Sequence, residues 1–230
     1  MPEKFDIKET IAIGRTFDEY SRMFDLRFTW LKNASILDMG GGVSSFTPEA
    51  CELGLNVKSC DRIYGFTPEE LEAKCRADLE GMLEKLPAVR KNYLWDLYKD
   101  EEGLRSYREK AYKIFMEDYR KSRENRYIRS ELPFTVFTDK EFDITLVSHL
   151  LFLYDEHLDY DFHLDSIAEL IRITKEEIRI FPIVNLRWKK AEFVDRIIRE
   201  PAFDRCGFEI KKVDFEFVKG GNECLSIKIS

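Results

Sequence analysis

The residues with the clearest capacity for chemistry lie in two short segments, Asp38-Met39-Gly40-Gly41-Gly42-Val43-Ser44 and Cys60-Asp61-Arg62-Ile63. Glycines at 40 and 42 let the backbone turn sharply and approach a ligand, because no Cβ stands in the way. The start of the helix expected next offers unpaired N–H groups, which suit an anion such as the carboxylate tail of a cofactor. Asp61 falls nineteen residues after Gly42, an interval at which a strand-end carboxylate can accept the hydroxyls of a ribose. Gly40-x-Gly42-x-x-Ser45 is also a degraded dinucleotide fingerprint, so a nicotinamide cofactor and S-adenosylmethionine both fit these features. Asp38 favours the second, since a carboxylate there repels a pyrophosphate and attracts an ammonium or a sulfonium.

Acid, base and phenol groups are densest over 154–163 (YDEHLDYDFH). His149 and His157 are the candidate general bases, because an unperturbed imidazole titrates near neutral pH. Acids at the start of a helix also complement its dipole, and a histidine can equally serve packing. His157, Asp161 and His163 have no diagnostic ligand spacing, so no metal site is expected. Lys219-Gly220-Gly221-Asn222-Glu223 reads as a tight hairpin turn, with Asn222 and Glu223 able to reach an acceptor.

The elements that must position these groups follow from periodicity and punctuation. Residues 1–34 read as a helical lead-in, with Tyr20, Met23, Phe24 and Arg27 at helical spacing. Residues 35–38 form a buried strand, Thr47-Pro48 an N-cap and N1 pair, Gly54 a chain reversal, and 57–60 a second strand ending on Asp61. Thr67-Pro68-Glu69-Glu70 is a capping box that opens a helix burying Leu71, Cys75, Leu79, Leu83 and Leu86. A further helix over 102–124 repeats Leu104, Tyr107, Ala111, Phe115 and Tyr119. The roughly 65 residues before the next strand exceed the needs of a crossover, so 66–125 reads as a helical insertion or cap. Strands follow at 127–130, 142–148 and 178–182, with helices at 162–174 and 190–199, and then a terminal pair of strands at 208–217 and 223–229. The fold class is α/β: a doubly wound, mostly parallel seven-stranded sheet ending in an antiparallel hairpin, as one domain over 1–230. The terminal hairpin also favours the sulfonium cofactor over a dinucleotide.

A chain of 230 residues with 44% hydrophobic residues can bury a sizeable core. Five cysteines without a CxxC pair suit reduced thiols. The charged first twenty residues lack the apolar core of a signal peptide or membrane span, so the expectation is a cytoplasmic protein with no membrane partner. A net charge of −7 argues against broad nucleic-acid binding. Residues 105–129 nevertheless carry nine Lys/Arg against four Asp/Glu, a local +5 that leaves −12 for the remainder. A charge-rich helix is usually a solvated face.

The chain resembles the class I S-adenosylmethionine-dependent methyltransferases through ILDMGGG (36–42), CDRIY (60–64), LPF (132–134) before FDITLVSHLLFLY (142–154), and the closing hairpin. More narrowly it is similar to a bacterial and archaeal group of uncharacterised methyltransferases, through EYSRMFDL, VSSF, SHLLFLY, FHLDSIAEL, EIRIFPI and KGGNE. The resemblance implies a Rossmann-like fold, S-adenosyl-L-methionine as cofactor and S-adenosyl-L-homocysteine as product. It places Asp38, Gly40 and Gly42 around the methionine portion, Asp61 on the ribose, and Arg62 and Ile63 beside adenine. Glu131 matches the third motif loosely, since an Asp is usual there. Ser148 and His149 take the end of the fourth strand, where acceptor meets methyl group. Ser148-His149-Leu150-Leu151 stands where amino-methyltransferases of bases carry Asn/Asp-Pro-Pro-aromatic, and no cysteine adjoins a proline as cytosine-C5 chemistry requires. A small-molecule acceptor is therefore expected. An RNA acceptor docked on helix 105–129, a non-catalytic S-adenosylmethionine-binding protein and an NAD(P)-dependent oxidoreductase remain the alternatives.

Overall fold

The structure is a computed structural model describing residues 11–229. The first ten residues of the expected lead-in lie outside these. Seven strands, β1 (Ser35–Met39), β2 (Asn56–Cys60), β3 (Tyr127–Ile128), β4 (Phe142–Ser148), β5 (Thr174–Phe181), β6 (Gly207–Lys212) and β7 (Glu223–Lys228), form one sheet. Its order is β3-β2-β1-β4-β5-β7-β6. The first five strands run parallel, and β7 runs antiparallel to both neighbours. This is the doubly wound, mostly parallel seven-stranded sheet with antiparallel end strands expected from the sequence. β1 and β4 are central because they are apolar enough to be covered on both faces. Strand order reverses between β1 and β4, and the crevice at their C-terminal ends is where such sheets bind ligands.

Local boundaries depart from the sequence reading where packing outweighs capping. The helix after the glycine turn, α3 (Phe46–Glu52), begins with Ser45 as N-cap rather than Thr47. Phe46 is drawn into the helix because its ring stacks on Tyr20, with centroids 4.4 Å apart, and is fully buried. Tyr20 and Met23 belong to α1 (Phe17–Met23) and Phe24 caps it, whereas Arg27 is exposed and begins the short α2 (Phe28–Leu31). The strand expected over 127–130 shrinks to two residues at the sheet edge. The tight turn expected at Lys219–Glu223 is a longer loop: Lys212 pairs with Glu223, and residues 213–222 leave the ladder. Aromatic packing explains it. Phe217 stacks on Tyr93 at 4.5 Å and meets Trp95 and Tyr98 edge-on, while Leu94 N–H donates to Phe217 O at 2.7 Å.

Between β2 and β3 stand α4 (Pro68–Val89) and α5 (Glu101–Arg126). Thr67 and Glu70 complete the capping box, and Leu71, Cys75, Leu79 and Leu86 are buried. Ion pairs Arg105–Glu80 and Arg120–Glu72 set the helices antiparallel. Phe115 and Tyr119 seat α5 on Tyr64 and on Tyr127 of β3, with ring centroids 5.2–6.0 Å apart. Most basic residues of α5 already hold an acid: Lys113 pairs with Glu109, Lys121 with Glu117 and Arg126 with Asp118. The last helices are α6 (Tyr160–Ile173) and α7 (Val194–Ile198), the latter shorter than the expected 190–199 because Lys190 pairs with Val184 in a bridge. Among the described residues no helix is long and apolar enough to cross a membrane.

One buried ion pair joins the lead-in to α5. Arg108 donates to Glu19 through two bonds of 2.7 and 3.0 Å, and to Gly14 O at 2.9 Å. The Tyr98 hydroxyl bonds both partners, and Thr16 N–H donates to Glu19 at 2.7 Å. Burial alone would raise the Glu19 carboxyl, but the charge and hydrogen bonds of Arg108 outweigh it and hold it down at about 2. Its contribution is therefore complete above the ordinary glutamate value near 4.5 and is lost as pH falls towards 2. Arg108→Met, which strands the carboxylate, is expected to cost about 3–5 kcal/mol in urea unfolding at neutral pH. A loss below about 1 kcal/mol, the ceiling for exposed pairs, would show that Glu19 regains water instead.

Candidate active site

The glycine turn leaves β1 at Met39, and Gly40 and Gly42 take left-handed backbone angles of φ 70° and 56°. A Cβ at Gly42 would meet nothing within 4 Å, so open space lies beside the backbone where a ligand can approach. At Gly41 a Cβ would overlap Ser59 and Asp38, so that glycine lets the turn close onto the acid. Gly40 N–H donates to Cys60 O at 2.8 Å, which locks the turn to the end of β2.

Asp38 is 1% exposed. Its Oδ1 accepts from the Tyr20 hydroxyl at 2.9 Å, and its Oδ2 from Ser59 at 3.4 Å and Thr47 at 3.5 Å. Burial pushes its carboxyl up to about 7; the Tyr20 hydrogen bond opposes the rise and the Asp61 charge adds to it. Asp61 ends β2 and accepts Gly42 N–H and Ile63 N–H at 3.0 Å each, one on each oxygen. Burial raises it too, partly offset by those two amides. Two acids thus flank one glycine turn.

Across the crevice, the end of β4 brings Ser148 and His149 to the same place. The Ser148 hydroxyl lies 2.9 Å from His149 Nδ1, and Ser148 and Ser44 near the Tyr20 hydroxyl partly offset the rise that burial gives it. His149 has φ 52°, an uncommon conformation for a residue with a side chain, fixed by its N–H donating to Phe181 O at 2.7 Å. Burial, then the charges of Arg15 and Arg108, lower its imidazole well below the ordinary value, so it stays neutral at physiological pH.

Asp38, Gly40, Gly42, Asp61, Ser148 and His149 therefore converge. Arg62 and Glu131 pair at 3.3 Å, and Ile63 is buried beside them. His157 is exposed in the turn after β4, its N–H on Tyr154 O, outside the hydrogen-bonded group around Asp38. His163 is a packing residue, with ring nitrogens facing Asp159 O and Leu151 O and its ring stacked on Phe152. Tyr20, read in the sequence as a core residue of the lead-in with contact to the cofactor left open, reaches the site through its bond to Asp38. It stands eighteen positions before Asp38, and no local pattern links the two.

At the start of α3, where an anion seat was expected, three amides are already engaged within the chain. Ser44 N–H donates to Gly41 O at 3.2 Å, Ser45 N–H to Arg15 O at 2.9 Å, and Phe46 N–H to the Ser44 hydroxyl at 3.5 Å. A seven-residue helix also has little dipole to offer.

Because the Asp38 carboxyl binds its proton more tightly in the fold than in the unfolded chain, it weakens stability as pH rises from about 4 to about 7. Asp38→Asn should flatten that decline in thermal melts across the window. Parallel slopes for the two proteins would assign the pH dependence to other groups.

No protein-family model matches the chain. It is 46% identical over 224 residues, 97% of this chain and 98% of the relative, to an uncharacterized protein of Methanocaldococcus jannaschii. Among solved structures it is similar to the magnesium protoporphyrin IX methyltransferase of Synechocystis PCC 6803 with bound S-adenosylmethionine, at 12% identity, TM-score 0.45, and 93% and 91% of the two chains. An S-adenosylmethionine-dependent methyltransferase of Aquifex aeolicus aligns at 16% identity, TM-score 0.45, over 91% of each chain. An rRNA methylase of Escherichia coli aligns at 15% identity, TM-score 0.46, over 93% of this chain and 64% of its own.

Proposed function

The chain belongs to the same protein family as the uncharacterized Methanocaldococcus jannaschii protein, and we propose that it transfers a methyl group from S-adenosylmethionine to a small-molecule acceptor. The observation that carries this reading is the pair of acids, Asp38 and Asp61, on either side of a glycine turn with open space at Gly42. Ribose hydroxyls suit Asp61, whose charge can accept two strong hydrogen bonds beyond its amide partners. An ammonium or sulfonium suits Asp38, since a nearby cation favours the ionised form that burial otherwise suppresses. A dinucleotide fits poorly, because its pyrophosphate would face that same acid. Arg62, Ile63 and Glu131 form the rim where an adenine would lie. Bound S-adenosylmethionine supplies a methyl group already activated on sulfur.

What the chain adds is chiefly positioning and exclusion of water. The Tyr20 hydroxyl is held by Asp38 with Ser44 and Ser148 nearby, at the junction of the proposed cofactor and acceptor sides. His149, kept neutral, can orient an acceptor through its hydrogen-bonding edge, and its lowered basicity suits it to a nucleophile that needs little deprotonation. The ion pairs along α5 support a small molecule over RNA, because charges already neutralised release few phosphate counterions.

In calorimetry, S-adenosylhomocysteine should bind and NAD should not; saturable NAD binding alone would overturn the cofactor assignment. Asp61→Ala should weaken S-adenosylhomocysteine by about 1–3 kcal/mol through lost charge-assisted hydrogen bonds. Unchanged affinity would mean that the ribose is held elsewhere. For the acceptor, transfer of a labelled methyl group into a pool of small metabolites is the expected result. Labelling of RNA that is abolished by reversing Arg120, Lys121 and Arg123 would replace the small-molecule reading with the RNA one.

A further inference from the structure

Arg15 occupies the place where the start of α3 was expected to seat an anion. Its carbonyl accepts Ser45 N–H at 2.9 Å and the Ser44 hydroxyl at 2.6 Å, so its backbone is fixed onto the glycine turn. The preceding residue must be glycine for this approach, since a Cβ at Gly14 would overlap the Val43 carbonyl. The guanidinium itself is partly buried, and its Nη1 reaches only the carbonyls of Ile13 at 3.1 Å and Gly14 at 3.3 Å. Among the described residues no carboxylate lies within ion-pair distance of it. Other sheltered guanidinium groups hold one: Arg108 has Glu19, Arg179 has Glu177 and Arg172 has Glu169. The charge of Arg15 is also felt by the His149 imidazole and the Tyr154 phenol, so the guanidinium lies near the end of β4.

A cation taken from water without an acid partner is costly unless a ligand supplies the anion. Resting on the reading that the site binds S-adenosylmethionine, we infer that Arg15 holds the carboxylate of that cofactor's amino-acid end. The zwitterion is then divided between opposite charges on the two sides of one turn, the ammonium towards Asp38 and the carboxylate towards Arg15. The helix start contributes less, because its Ser44 and Ser45 amides are already bonded to Gly41 O and Arg15 O. Arginine suits the role because its planar fork can meet both oxygens of a carboxylate.

The test compares S-adenosylhomocysteine with its decarboxylated analogue, which keeps the nucleoside, thioether and amine, by calorimetry on the full chain. Wild type should prefer S-adenosylhomocysteine, and Arg15→Met should weaken it by about 10- to 100-fold while moving the analogue by less than about twofold, the pattern of a lost charge-assisted bond. Arg15→Lys should recover part of the preference. Retained binding of the analogue shows that the variant is folded. Equal weakening of both ligands, or weakening of neither, overturns the inference while leaving the cofactor reading intact. A wild-type chain that binds neither ligand overturns both.

Discussion

A carboxylate and a guanidinium with almost no water around them tie the residues before β1 to the helices between β2 and β3. Glu19 stands at 0% exposure and Arg108 at 2%, and each would be costly alone in that place. Together with Tyr98 they join α1, the segment before α5 and α5 itself. Arg108 also holds Gly14 O, and the next residue lies on the glycine turn. The lead-in therefore stays against β1 because α5 pins it there. Ala12 adds a second tie, its N–H donating to Asp78 of α4 at 2.6 Å. Helices between β2 and β3 and residues before β1 are thus bonded into one unit.

Within the sheet, parallel pairing does the positioning. Asp38 of β1 lies beside Ser59 of β2, and Met39 beside both Cys60 and Val147, so the ends of three strands arrive at one level. A turn without side chains can then fold back onto two acids at once. The same proximity lets the Asp61 charge raise the proton affinity of Asp38, since two like charges in a dry place cannot both ionise freely. Tyr20 relieves part of this by donating to Asp38.

Much of this was legible in the residues. ILDMGGG and Asp61 announced the turn and its acids, and the apolar run 142–148 announced the buried central strand. Thr67-Pro68 with Glu70 fixed the start of α4. These signals are local, and each has one cheap solution. What escaped was long-range or aromatic. Tyr20 and Asp38 meet only after the lead-in folds across the turn. Phe46 extends α3 by stacking on Tyr20, overriding a good N-cap at Thr47. Phe217 pulls its loop onto Tyr93, although Gly220-Gly221 looked like a hairpin tip. Most telling is the helix start. Its free amides are a sound inference for an isolated βαβ unit, but a neighbouring segment has taken the Ser45 amide.

Burial acts in one direction on every titratable group of the crevice. It lifts Asp38 and Asp61 towards their neutral forms and drives His149 towards its own. Arg15 has no such escape, since a guanidinium stays charged at any physiological pH. The site before binding is thus close to neutral on the Asp38 side and positive on the Arg15 side. A ligand with a cation and a carboxylate would change both at once: the cation would stabilise ionised Asp38 and expel its proton, and the carboxylate would satisfy Arg15. Proton release on binding near pH 7 follows from that exchange, because only there is Asp38 half-protonated to begin with. The polarity that holds the ligand is created in part by the ligand, which allows the fold to keep two acids dry without paying their full charge repulsion beforehand.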